Sequence, residues 1–262
     1  KGLSVGIVGL PNVGKSTLFN ALTSNRAPAS NYPFCTIDPN VGVVEVYDHR
    51  LPALSALSNS QKIVFATMEF VDIAGLVEGA SKGEGLGNQF LSNIRQTDAI
   101  VHVVRCFASN DIIHVAGRID PIHDIEIINL ELRLADLQMA ENALQRVEKQ
   151  AKTKKELQPT VDALQKVLIG LNENKPVRSL ELSEEEKEAL ALYPFLSQKK
   201  VLYVANVSEN ELPSMENAWV QKVRAYAESE GNSLLAVCAK IEEEVAELPP
   251  SDRPAFLQSL GL

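Results

Sequence analysis

The chain has 262 residues, of which 45% are hydrophobic and 5% aromatic, and its formal net charge is −9 at pH 7. This suits one large or two smaller globular domains, and the negative charge excludes nonspecific nucleic-acid binding by the whole surface. The three scattered cysteines show neither metal-ligand spacing nor a disulfide framework, which favours a reducing compartment. No signal-peptide pattern or membrane-length apolar run is present. We therefore expect a soluble cytoplasmic protein without a membrane partner.

The first motif is a phosphate-binding loop (P-loop), Gly9-Leu-Pro-Asn-Val-Gly-Lys-Ser16. It lies between the apolar run 3–8 and the helix-like run 16–22, the strand–loop–helix context that this motif requires. Glycines let successive backbone N–H groups surround a phosphate chain. We expect Lys15 to reach the β- and γ-phosphates and the Ser16 hydroxyl to bind Mg²⁺. The predicted nucleotide contacts here are Asn12, Val13, Gly14, Lys15, Ser16 and Thr17.

Residues 1–110 alternate apolar and amphipathic runs, the pattern of an α/β fold with a mostly parallel sheet. A polar connection with three prolines spans 25–40, and loops of this length are often functional. The apolar runs 41–47 and 65–71 are predicted strands. The second ends at Asp72, and an acidic residue at the carboxyl end of a strand can serve Mg²⁺ at a phosphate site.

The segment from Gly75 to Gly87 has glycine at five of thirteen positions. This density is incompatible with a packed helix or strand, because glycine loses the most backbone freedom on folding. One interpretation is a flexible linker. The position of the segment, beginning where a γ-phosphate would lie, favours a switch that is ordered with bound triphosphate.

From about residue 122 the large apolar residues follow a three-four repeat that is interrupted near Pro159. Two helices with such seams predict an antiparallel helical hairpin, a coiled-coil-like arm. Its basic turn is either a solvated helix end or a contact for RNA phosphates. The repeat comprises Ile127, Leu130, Leu134, Leu137, Leu144 and Val147, then Val161, Leu164, Leu168 and Leu171, and the turn carries Arg146, Lys149, Lys152, Lys154 and Lys155.

The α/β pattern returns with strands at 201–206 and 233–238. We therefore predict a P-loop NTPase of the GTPase-like three-layer α/β class, with a nucleotide-binding domain formed by residues 1–121 and 199–262. The inserted antiparallel helical coiled-coil arm would span 122–198 and contain a capping box at Ser183 to Glu186. The predicted nucleotide contacts after the last two strands are Asn206, Val207, Glu209, Cys238, Ala239 and Lys240.

The motifs of this chain follow the order found in GTPase-type P-loop proteins: the P-loop, Thr36, the D-x-x-G at Asp72, Asn206 and the turn ending at Lys240. Residues 72–91 look like the switch signature of the Obg-related group. The segments 31–36 and 206–209 make this resemblance more specific within that group. The chain resembles the YchF-type ribosome-binding ATPases, also called Obg-like ATPases, over essentially its whole length. That family continues into a small β-rich TGS domain, and this sequence stops before one, so functions assigned to that domain are not carried over.

The base-reading segment departs from the N-K-x-D motif of guanine-binding proteins, in which the Asp accepts guanine's ring N–H and amine. Val207 replaces the Lys and Glu209 replaces the Asp. The longer Glu displaces both acceptor oxygens, which removes the reason for guanine preference. The residues alone indicate impaired guanine specificity. The resemblance implies that ATP is accepted in preference to GTP, with Asn206 and neighbouring backbone contacting adenine.

The glutamine that usually orients the attacking water after D-x-x-G is replaced by Leu76, which can neither donate nor accept a hydrogen bond. One interpretation is a binding switch without useful turnover. The other is that the water is placed by different means. The resemblance implies that His114 is catalytic and that Asn12 lies where similar K⁺-dependent NTPases hold a monovalent cation.

We therefore expect a slow Mg²⁺-dependent ATPase that is monomeric. The resemblance implies the ribosome or its RNA as partner, with the ribosome stimulating turnover. The alternatives are a guanine-specific Obg-type GTPase and a nucleotide-gated RNA- or ribosome-binding module with negligible turnover. The predicted catalytic groups are Lys15, the Gly75 N–H and His114, and the predicted metal ligands are Ser16, Thr36 and, through a water, Asp72 for Mg²⁺, with Asn12 for K⁺.

Overall fold

The structure is a computed structural model that describes residues 3–23, 41–45, 57, 67–73, 86–108 and 119–262. The chain divides into two compact units. The first comprises Lys1–Leu76, Gln96–Glu126 and Val201–Leu262, and the second comprises Val77–Arg95 and Ile127–Lys200. Helix 86–95 lies in the second of these units. The predicted boundaries at 121/122 and 198/199 stay predictions.

Six strands form one sheet in the order β2-β3-β1-β4-β5-β6. Strand β1 pairs in parallel with β3 and with β4, β5 pairs in parallel with β6, and β2 is antiparallel to β3. This confirms the predicted mostly parallel sheet. The strands are β1 (Leu3–Val8), β2 (Val41–Glu45), β3 (Thr67–Asp72), β4 (Ala99–Arg105), β5 (Lys200–Asn206) and β6 (Ser233–Val237).

Strand β4 shows why the central strands form. All seven of its residues are buried, as expected for a parallel strand that is covered on both faces by other elements. Burial along β4 is therefore continuous and lacks the alternation of buried and exposed residues that a half-exposed strand shows. Polar residues follow such buried strands at their carboxyl ends, and ligand sites of open α/β sheets lie there.

Among the described residues the helices are α1 (Lys15–Leu22), α2 (Leu86–Arg95), α3 (Pro121–Ala151), α4 (Gln158–Asn172), α5 (Glu184–Leu190), α6 (Ala218–Ser229), α7 (Ala239–Glu247) and α8 (Arg253–Ser259). Helix α1 begins at Lys15, within the last two residues of the P-loop, which confirms the predicted strand–loop–helix context. Helix α5 begins with the predicted capping box. The Ser183 Oγ accepts from the Glu186 N–H at 3.1 Å, and the Glu186 carboxylate accepts from the Ser183 N–H at 2.9 Å.

None of the helices described has both the length and the apolar content needed to cross a membrane.

The second unit is helical, and α3 and α4 contribute to one hydrophobic cluster that includes Ala140, Ala143 and Leu164. The predicted apolar seam is partly wrong in this unit, since Leu130 is 43% and Leu134 is 36% exposed. The buried stripe of α3 uses small residues as well as large ones, so a repeat counted on leucines alone misplaces it. The coiled-coil character of the arm stays a prediction.

Asp136 is a fully buried carboxylate on α3 that binds the backbone near the C-terminal end of the helical unit. It accepts hydrogen bonds from the Leu196 N–H at 2.7 Å and the Ser197 N–H at 2.8 Å. Burial raises the pKa of this carboxyl, and the bonds to Ser197 and Leu196 oppose the rise in pKa. The hydrogen bonds therefore fix the backbone after Phe195 to the middle of α3.

We expect Asp136→Ala to lower the free energy of unfolding by about 2–4 kcal/mol, because two buried N–H groups lose their acceptor. Urea unfolding followed by circular dichroism measures the change. Asp162→Ala is the matched control, since this carboxylate is exposed and accepts from the Gln158 side chain at 2.9 Å; its effect should stay within about 0.5 kcal/mol. Equal effects of the two substitutions would contradict the assigned role of Asp136.

Candidate functional site

A cavity of about 910 Å³ lies in the first unit beyond the carboxyl ends of β1, β4, β5 and β6. Its size is within the range of small-molecule sites, and it is formed by stretches that are far apart in the sequence. The structure thus gathers most of the residues that the sequence predicted as nucleotide contacts. Those lining the cavity are Asn12, Gly14, Lys15, Ser16, Thr17, Asn206, Val207, Glu209, Cys238, Ala239 and Lys240.

The P-loop turns sharply before α1. Gly14 has a φ of 95°, in the left-handed region that favours glycine, and Asn12 has a φ of 66°, a conformation that Asn tolerates better than most residues. A Cβ on Gly14 would lie 2.2 Å from the Asn206 Nδ2. Glycine is therefore required at position 14 both for its backbone conformation and for the close approach of a side chain from β5.

Asn206 connects the P-loop to the start of α7. Its Nδ2 donates to the Val13 carbonyl at 2.9 Å, and its Oδ1 accepts from the Ala239 N–H at 2.9 Å. The residue is 5% exposed. Val13 is itself buried and takes part through its backbone carbonyl. Asn206 thus positions two walls of the cavity, and its predicted contact with adenine stays a prediction.

The ammonium of Lys15 is paired with a carboxylate from the neighbouring strand. It contacts the Asp72 Oδ1 and donates to the Ile73 carbonyl at 2.9 Å. The two charged side chains are only 13% and 17% exposed. Because β3 pairs in parallel with β1, the carboxyl end of β3 brings its acidic residue to the P-loop.

Mg²⁺ fits the donors that this part of the site provides. The Ser16 hydroxyl lines the cavity and the Asp72 carboxylate lies beside Lys15, so the donors are the hard oxygens that Mg²⁺ prefers. Within the described ranges no group of three or more His, Cys, Asp or Glu residues is arranged to hold a metal. Mg²⁺ is usually held by one or two carboxylates together with waters and substrate phosphates, and the residues present suit that mode.

A second part of the cavity wall carries an ion pair. Lys240 Nζ lies 2.6 Å from the Glu209 Oε1, with the side chains 68% and 44% exposed. The Glu209 carboxylate raises the pKa of Lys240, first as a hydrogen-bond acceptor and then through its charge. Burial raises the pKa of the neighbouring Cys238 thiol. The wall therefore combines one charged pair with a neutral thiol.

Several lining residues were missed from the sequence, among them Phe107. The Arg105 guanidinium carbon lies 4.6 Å from the centroid of the Phe107 ring, and the Arg105 Nε donates to the Phe107 carbonyl at 3.1 Å. An aromatic residue two positions beyond a central strand was the available signal. The other missed lining residues are Leu10, Pro11, Ala108, Ser208, Asn210 and Glu243.

Three predicted functional residues lie outside the described residues: Thr36, Gly75 and His114. The same holds for Leu76 and for most of the glycine-rich segment. The metal role of Thr36 and the catalytic roles of Gly75 and His114 therefore stay predictions.

The parallel sheet, the P-loop at the end of β1 and the cavity beyond it define a P-loop nucleotide-binding protein. Residues 4–142 match the family model MMR_HSR1, described as 50S ribosome-binding GTPase. Over 262 residues the chain is 54% identical to the ribosome-binding ATPase YchF of Haemophilus ducreyi, covering 100% of this chain and 72% of the relative. The Bacillus subtilis protein of the same name is 53% identical, covering 99% and 72%.

The solved structure of the Schizosaccharomyces pombe YchF GTPase matches with a TM-score of 0.79 and 36% identity, covering 99% of this chain and 71% of that one. The chain belongs to the YchF family. The names of its relatives include both ATPase and GTPase, so membership in the family leaves the choice of base to be argued from the site.

We expect Gly14→Ala to weaken nucleotide binding at least about tenfold, because the new Cβ displaces the Asn206 amide and breaks its bridge. Gly231→Ala is a matched control: its φ is also positive, at 72°, but a Cβ there meets nothing within 4 Å. Calorimetric titration with ADP and Mg²⁺ measures both. A similar loss in the two variants would contradict the assigned role of the contact between Gly14 and Asn206.

Proposed function

We propose that the chain is a Mg²⁺-dependent nucleoside triphosphatase that hydrolyses ATP in preference to GTP and works on the ribosome. The observation that carries this proposal is one cavity containing the P-loop at one wall and the Glu209–Lys240 pair at another. The first wall suits a triphosphate, and the second lacks the Lys and Asp of a guanine-reading motif. The names of the bacterial relatives support the ribosome as partner.

The reaction is in-line attack of water on the γ-phosphorus, which forms a new P–O bond and breaks the bridge to the β-phosphate. Lys15 and the P-loop N–H groups bind the β- and γ-oxygens and, with the Gly75 N–H, stabilise charge that develops in the transition state. Ser16 and Thr36 would hold Mg²⁺ directly and Asp72 would hold it through a water, and the ion would supply further charge neutralisation. His114 orients the water in place of the missing glutamine.

The base end depends on the side chain at position 209. A short Asp places two acceptor oxygens against guanine's ring N–H and amine, whereas the longer Glu209 carboxylate reaches Lys240 at 2.6 Å. Val207 is buried, and its side chain offers no polar group to a base. A site that no longer pairs guanine's two donors has lost its means of selecting guanine.

The ribosome proposal has a physical counterpart in the basic turn after α3. Lys152, Lys154 and Lys155 are exposed there, on a chain with a net charge of −9. Such a local positive patch can meet RNA phosphates although the molecule as a whole is acidic. Reversing these three charges should weaken ribosome binding and leave nucleotide affinity unchanged.

Competition binding of ATP and GTP at equal Mg²⁺ tests the base preference. We expect the wild-type chain to favour ATP, and Glu209→Asp to raise GTP affinity relative to ATP by about tenfold, because the shorter carboxylate restores the two-acceptor geometry. Glu211→Asp is the matched control, since it makes the same change two residues away and does not line the cavity. A large GTP preference of the wild type would favour the guanine-specific alternative.

Single-turnover hydrolysis with and without ribosomes tests the enzymatic part. We expect ribosomes to raise the rate, and His114→Ala to lower it about 10²-fold with little change in ATP affinity, because the water loses its orienting group. Replacing K⁺ with Na⁺ should lower the rate if Asn12 holds a monovalent cation. A rate at background under every ribosome and K⁺ condition would favour the alternative of a nucleotide-gated binding module.

A further inference from the structure

We infer that Lys240 is a specificity-determining residue: by holding the Glu209 carboxylate in an ion pair, it withholds that carboxylate from guanine. This inference deepens the proposed function and rests on its assignment of the cavity to a nucleotide. It concerns one contact, between the Lys240 Nζ and the Glu209 Oε1 at 2.6 Å.

The two side chains start from backbone positions that the sheet fixes. Asn206 and Val237 are partners in the parallel pairing of β5 and β6. The Val207 N–H donates to the Val237 carbonyl at 2.8 Å, and the Asn206 Oδ1 holds the Ala239 N–H. Position 209 is the first residue of a 3₁₀ turn and position 240 lies in the first turn of α7. The pair is therefore presented by anchored elements on the wall of the cavity.

The pair contributes little to the fold. Its side chains are 68% and 44% exposed, and exposed ion pairs stabilise proteins weakly because water screens them and both side chains lose rotamer freedom. A solvent-exposed ion pair on a cavity wall instead influences which ligands the cavity binds. The raised pKa of Lys240 is consistent with an ammonium that stays charged beside its acceptor.

Guanine and adenine make different demands on a carboxylate. Guanine presents two adjacent donors, its ring N–H and its amine, which together need both oxygens of one carboxylate in a suitable orientation. With the Oε1 of Glu209 turned to Lys240, those donors must compete with an ammonium for the same group. Adenine offers only its amine as a donor on this edge, so it has less to lose from the pairing.

The length of the side chain connects this pair to the sequence. An Asp at position 209 would be shorter by one methylene and would draw the carboxylate back from Lys240. The extra methylene of Glu209 thus does more than displace two acceptor oxygens. It also brings them to the ammonium of Lys240 on α7, the helix that follows β6. Residues 209 and 240 act as a unit in this respect.

Calorimetric titration with ADP and with GDP, both with Mg²⁺, tests the inference without interference from hydrolysis. We expect Lys240→Met, which keeps the aliphatic stem, to raise GDP affinity relative to ADP by about tenfold. Lys240→Arg should keep the wild-type ratio, because a guanidinium still pairs with the carboxylate. Lys222→Met is the matched control, as an exposed lysine of α6 that does not line the cavity.

A double-substitution cycle isolates the pair. In a Glu209→Gln background, Lys240→Met should leave the GDP-to-ADP ratio unchanged, because the charge that Lys240 holds is already gone. The inference is overturned if Lys240→Met alone changes the ratio less than twofold, or changes it equally in the Glu209→Gln background. Retained ADP binding in each variant shows that the chain is folded.

The wild-type ratio separates the two proposals. If the wild type favours ADP and Lys240→Met changes nothing, this inference fails and the proposed ATP preference stands. If the wild type favours GDP, the proposed ATP preference fails. The inference is then judged by the change in the ratio alone.

Discussion

The site depends on the two hydrogen bonds of the Asn206 side chain. They satisfy a carbonyl of the P-loop and the first N–H of α7 in a place where Asn206 is almost fully buried. A buried polar group that loses its partner costs about 1–3 kcal/mol, so losing either bond would destabilise the arrangement of the three elements. The left-handed Gly14 belongs to the same arrangement, because only a residue without a Cβ leaves room for the Asn206 amide.

The charges around the cavity divide into two kinds. Lys15 and Asp72 form a pair that is mostly removed from water, and separating such a pair without a new partner is costly. Glu209 and Lys240 form a pair in contact with water, and its rearrangement is cheap. The wall that contains the P-loop thus carries a fixed charged pair, and the wall that contains Glu209 carries an adjustable one.

The helical unit shows how packing can differ from an apolar count. The buried stripe of α3 includes Ala135, Ala140 and Ala143, while Leu130 and Leu134 face outward. Small side chains allow helices to approach closely, and the buried Asp136 is satisfied by backbone N–H groups. Neither feature adds to a leucine repeat. This explains why the helices were predicted in the right region with a partly wrong seam.

The sequence by itself determined the mostly parallel α/β fold, the P-loop and the capping box of α5, because these depend on local periodicity and on residues a few positions apart. It also determined the loss of the N-K-x-D motif, which needs only residue identity. The tertiary structure decided that Asn206 bridges two walls, that Phe107 lines the cavity and that Glu209 is paired with Lys240. Those features require contacts between residues up to 193 positions apart, which form only when the strands pair and bring their carboxyl ends together.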